Sequence, residues 1–80
     1  MTQKITIDRL DFALVIDYFG LLLTLKESNR LYDKCFPDED NITHEDLMNA
    51  GNIIKQECKF RYHSTTISDR LSRFITIYTY

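Results

Sequence analysis

Apolar side chains crowd residues 10–25 so densely that only a narrow polar line is left. Leu10, Phe12, Ala13, Leu14, Val15, Ile16, Tyr18, Phe19, Leu21, Leu22, Leu23 and Leu25 are apolar, while Asp17, Gly20, Thr24 and Glu27 recur at 3–4–3 spacing. That spacing predicts one helix from Arg9 to Glu27 with cover on most of its sides. Asp8 is a good N-cap, and Ile7 and Phe12 stand at the positions of a hydrophobic staple. Before it, Lys4-Ile5-Thr6-Ile7 alternates polar and apolar, as a short strand does.

Ser28-Asn29 either ends this helix or interrupts it. Leu31, Tyr32, Cys35 and Phe36 continue at helical spacing until Pro37, which disfavours helical geometry in the residue before it. Asp38-Glu39-Asp40-Asn41 reads as a solvated loop. A second helix starts at Thr43, with Asp46 at the capping-box position and Ile42 and Leu47 as a second staple. Leu47, Ala50, Gly51, Ile54 and Cys58 share one face of it. Gly51 either permits a close approach of another element or splits the segment at a turn. Lys59 to His63 form a turn, and a third helix starts among Ser64, Thr65 and Thr66. Ile67, Leu71 and Phe74 line its buried side. Ile75-Thr76-Ile77-Tyr78-Thr79-Tyr80 is β-branched and aromatic, which favours a strand. That strand has two candidate partners, residues 5–7 of its own chain or the same strand of a second subunit.

The fold class expected is therefore mainly α. It has three or four helices in a helix-turn-helix-like order and room for short β-strands at the N- and C-terminal ends. Eighty residues make one domain with a modest core. Residues 1–51 hold five basic and ten acidic side chains, whereas residues 52–80 hold five basic and two acidic. The net charge of −2 thus conceals an acidic half and a basic half. The apolar run starts after Asp8, Arg9 and Asp11 and is interrupted by Asp17, so it is neither a signal peptide nor a membrane span. The chain is expected in the cytoplasm, with Cys35 and Cys58 as reduced, buried thiols.

The basic half offers a candidate nucleic-acid reader. Ser64, Thr65, Thr66, Ser68, Arg70 and Arg73 project from the third helix, and Lys59 and Arg61 precede it. Hydroxyls and guanidinium groups of this kind reach phosphates and base edges. The segment resembles the recognition helix of winged helix-turn-helix regulators, whose pattern S-x-T-[V/I]-S-x-x-L-x-x-L is met by Ser64, Thr66, Ile67, Ser68 and Leu71, with Phe74 at the last position. The resemblance covers about eleven residues. Gln56 and Glu57 stand where that family's preceding helix is apolar, and Arg61 where its turn has Gly. It implies DNA binding by a small transcriptional regulator of phage, plasmid or bacterial type. The apolar helix is either the central helix of a compact monomer or an association surface; the regulator expected here is a homodimer built on it through Phe12, Val15, Ile16, Phe19, Leu22 and Leu23.

A second reading needs no nucleic acid. A compact chain of this kind also suits a phage-encoded inhibitor or adaptor that binds one host protein. Its contacts would be the loop Asp38–Asp40 with Tyr32, Phe36 and Tyr62. Other chemistry is not expected. Cys35, His44, Cys58 and His63 lack the paired spacing of a zinc site. No signature surrounds either cysteine, and neither Gly20 nor Gly51 follows a strand as a phosphate loop requires. No catalytic residue, metal or cofactor is therefore assigned, and no membrane partner.

Overall fold

The computed structural model describes residues 3–58 and 61–79. Six elements follow in order: β1 (Gln3–Ile7), α1 (Arg9–Tyr18), α2 (Leu25–Cys35), α3 (His44–Glu57), α4 (Ser64–Ser72) and β2 (Ile75–Thr79). The fold is mainly helical, and its two strands form one antiparallel sheet.

The long helix expected from Arg9 to Glu27 is two helices. α1 stops at Tyr18, and Gly20 takes a φ of +81°, a left-handed conformation that glycine adopts at no steric cost. Residues 21–24 are neither helix nor strand, and the Leu23 N–H turns back to the Leu21 carbonyl at 3.0 Å. There Leu21 and Leu23 pack on the core while Leu22 and Thr24 are exposed. Thr24 then opens α2 with a full capping box. Its Oγ1 accepts from the Glu27 N–H at 3.2 Å, and the Glu27 carboxylate accepts from the Thr24 N–H at 3.0 Å. The polar line Gly20, Thr24 and Glu27 therefore marks a break and a new start. Ser28 and Asn29, expected as a breakpoint, lie inside α2.

Breaking the run lets one side of α1 enter the core. Phe12, Val15 and Ile16, with Phe19 just beyond the helix, are buried. Phe12 meets Tyr32 and Phe36 of the α2 end edge to face, with ring centroids 5.3 and 6.0 Å apart. The Tyr32 hydroxyl donates to the Ile7 carbonyl at 2.8 Å, tying α2 to β1. On the outside, the Arg9 guanidinium spans from Asp33 at 2.7 Å to Glu39 at 3.2 Å and lies over the Tyr32 ring. These ion pairs are exposed, so they contribute orientation more than stability.

α3 begins as expected, with Thr43 and Asp46 completing a capping box. Gly51 stays helical and settles the two alternatives in favour of close packing. A Cβ there would collide with the Ser64 carbonyl oxygen and the Ser68 Oγ of α4. The Ser68 hydroxyl donates across the same contact to the Leu47 carbonyl at 2.9 Å. α4 buries Ile67 and Leu71, and Phe74 packs on the core after the helix has ended.

β2 pairs with β1 of the same chain, in a register from Gln3↔Thr79 to Ile7↔Ile75. On the other side of β1, the Ile42 N–H donates to the Ile5 carbonyl at 3.3 Å.

Candidate interaction surfaces

The described residues assigned to nucleic acid come together around α4, but Ser68, Arg70 and Arg73 already have side-chain partners. Ser64 is half-buried against Gly51, and Ser68 is bonded to the Leu47 carbonyl. The Arg70 guanidinium stacks on Tyr18, 4.1 Å from the ring centroid, and donates to its hydroxyl at 2.9 Å. Arg73 is paired with Asp69 one turn earlier, at 3.3 Å. Arg61 is exposed, with its guanidinium over Gly20, where the C-terminal carbonyls of α1 favour a cation. Thr65 and Thr66 are exposed. Lys59 lies outside the described residues. The outer face of α4 thus carries Thr65, Thr66, Asp69, Ser72 and Arg73, with one charge of each sign.

The N-terminus of α4 differs from those of the other three helices. α1, α2 and α3 each have a side chain accepting from the first turn, whereas His63 at the α4 cap makes no such bond. Between α3 and α4 runs a groove of about 360 Å³. Leu47 and Met48 supply its apolar lining, and Ser64, Thr65 and Ser68 its hydroxyls.

The apolar surface expected on the first helix is redistributed. Phe12, Val15, Ile16 and Phe19 are fully covered by the rest of the chain, so they cannot meet a second subunit. Leu23 is partly buried, and Leu22 is open to solvent. Instead the outer line of α1 carries Leu10, Leu14 and Tyr18, at i, i+4 and i+8, and Leu25 follows on α2. Together with Leu22 these side chains are 60 % to 88 % exposed. Asp11 and Asp17 flank the α1 line. The first helix is apolar on two sides, and one local signal could have separated them. The Ile7–Phe12 staple turns the Phe12 side inward, which leaves Leu10, Leu14 and Tyr18 outside.

The contacts expected of an adaptor also change. Tyr32 and Phe36 are core residues, and Tyr62 is half-buried against Phe19. Asp38, Glu39 and Asp40 are exposed, with Glu39 held by Arg9.

Cys35 and Cys58 are free and buried. Burial pushes the Cys35 thiol up to about 12, against the weaker opposing pull of Lys34, and burial raises the Cys58 thiol as well. Neither is a thiolate at neutral pH, so neither is poised as a nucleophile. Alkylation of the native protein is expected to be slow, becoming fast for both thiols in denaturant; rapid native labelling of Cys35 would contradict its burial. Folding raises these pKa values, so the native state holds the protons more tightly than the unfolded chain. The stability this contributes is complete below the ordinary thiol value of 9.0 and is lost as pH rises towards 12. Urea titrations of wild type and Cys35→Ala should show the steeper alkaline loss in wild type.

Among the described residues, no three His, Cys, Asp or Glu side chains gather as metal ligands, and no helix is long and apolar enough to cross a membrane. No protein-family model, curated protein or solved structure matches this chain.

Proposed function

We propose that this protein acts by binding another protein, and that α1 is the element that docks. One observation carries the reading: a line of large side chains, Leu10, Leu14 and Tyr18, is left mostly exposed along α1, Tyr18 with Arg70 on one side of its ring, in a chain whose core is otherwise closed. Uncovered apolar patches on small domains mark interaction sites. Each leucine transferred from water into a partner's groove contributes about 1.5–3 kcal/mol. Asp11 and Asp17 on the flanks select a partner with an apolar groove and a basic rim. A helix presented at i, i+4 and i+8 suits such a groove.

Leu14→Lys tests the reading. Leu14 is exposed, so the fold and melting temperature should hold within experimental error. Cross-linked partners captured by wild type should be lost with the variant. A purified partner should bind the variant at least about tenfold more weakly, the minimum for losing one anchoring leucine. Equal binding by both proteins would discard α1 as the docking element.

A second reading keeps the DNA-binding regulator. The observation favouring it is the α4 N-terminus, whose first-turn N–H groups carry no side-chain cap and stand beside exposed Thr65 and Thr66. Such a terminus is suited to phosphate. Titration with random duplex at low and moderate salt tests this reading, because neutralised phosphates release counterions and make binding salt-sensitive. Salt-sensitive binding lost on combining Arg70→Ala with Arg73→Ala would favour it over the protein-binding reading.

A further inference from the structure

The outer edge of β2 is complementary to itself. The Ile5 carbonyl accepts from Ile42, on the side of β1 away from β2. In an antiparallel ladder both polar groups of a residue point to the same side. Ile5 and Ile77 are therefore a non-hydrogen-bonded pair, and the ladder bonds run through Lys4↔Tyr78 and Thr6↔Thr76. It follows that the N–H and C=O groups of Ile75, Ile77 and Thr79 all point away from β1. Among the described residues, no other segment pairs with that edge. Open edges in soluble proteins are usually blunted by charge, proline or a bulge. Residues 75–79 have none of these.

We infer that the β2 edge binds the β2 edge of a second copy of this chain, giving a two-fold dimer with a continuous four-stranded sheet. Antiparallel pairing centred on Ile77 sets Ile77 opposite the partner's Ile77 and Ile75 opposite the partner's Thr79. Every outward N–H then meets an outward C=O. Thr76 falls opposite the partner's Tyr78, a close non-hydrogen-bonded pair. Ile77 lies on the same sheet face as buried Ile5 but is itself 53 % exposed. Pairing extends that apolar face across the two-fold axis and covers both Ile77 side chains.

Charge favours a second copy here and opposes it elsewhere. Two β2 strands meet without any charged side chain. Two α1 ridges would bring Asp11 and Asp17 against like charges. The β2 edge is short and buries less area than a standard interface, so the dimer is concentration-dependent.

Sedimentation velocity over a wide concentration range tests the inference. Wild type should shift from the monomer mass to twice that mass as concentration rises. Ile77→Lys sets two ammonium groups opposite each other. Ile77→Pro removes an N–H that β1 does not use, a position where an edge strand tolerates proline. Both should raise the dimer dissociation constant by at least about tenfold, with circular dichroism and melting of the monomer unchanged. Ile77→Lys leaves the backbone ladder untouched, so it stands as the test if the proline variant fails to fold. Wild type monomeric at every concentration would overturn the inference. So would a dimer that survives Ile77→Lys, or one dissolved by Leu14→Lys alone.

Discussion

Gly51→Ala is expected to destabilise the protein by about 3 kcal/mol, although alanine is the better helix former. The helix-propensity gain is about 1 kcal/mol. Against it, the new methyl group meets the Ser64 carbonyl oxygen and the Ser68 hydroxyl. A hydroxyl can rotate away, at the cost of its bond to the Leu47 carbonyl, about 1 kcal/mol. A backbone carbonyl in the first turn of α4 cannot move alone, so α3 and α4 must separate. Overpacking of this kind costs about 1–3 kcal/mol and more where backbone is involved. Urea denaturation measures the result. A more stable alanine variant would show that the two helices sit further apart than described.

Phe12→Ala should cost about 3–5 kcal/mol, the range for emptying a buried phenylalanine site. Phe12 has no exposed surface and packs edge-on against both Tyr32 and Phe36, completing a three-ring cluster. A domain of this size has about 4–12 kcal/mol of stability in total, so the variant is expected to be substantially unfolded at 37 °C. Leu14→Ala, on the same helix, should stay within about 0.5 kcal/mol of wild type, as exposed substitutions do. Thermal melts of the two variants give a direct reading of which side of α1 is inside. Equal losses would mean that both sides are covered.

The starts of two capped helices, α1 and α3, were legible in the sequence because their signals are local and stand outside the leucine-rich run. Asp8 with Ile7 and Phe12, and Thr43 with Asp46, Ile42 and Leu47, announce their helices within a few residues, and both helices start there. The buried face of α3 was legible as well, since Leu47, Ala50, Gly51 and Ile54 recur at helical spacing among the polar His44, Glu45, Asn49, Lys55 and Gln56. Residues 19–25 were harder. Apolar residues continued through the break, so periodicity ran on past Tyr18, and only Gly20 and the Thr24–Glu27 pair recorded the change. The same excess of leucine hid which side of α1 faces the core, because that choice depends on β1, α2 and α4. The partners of the α4 charges were hidden for a different reason. Arg70 and Arg73 are basic in sequence, but Tyr18 lies 52 positions from Arg70, and only the fold brings them together.

The pairing of β1 with β2 also governs when the fold can be completed. Ile5 and Ile77 are about seventy positions apart in the chain, and closing so wide a loop has an entropic cost that contacts within it must first offset. During synthesis, β1 precedes β2 by all four helices and cannot pair with it until they have followed. The four helices can gather before then, but Ile5 and Ile7 receive their cross-strand cover last. The rate at which the sheet forms should therefore be limited by topology more than by stability, and the β2 edge does not exist until that late step is done.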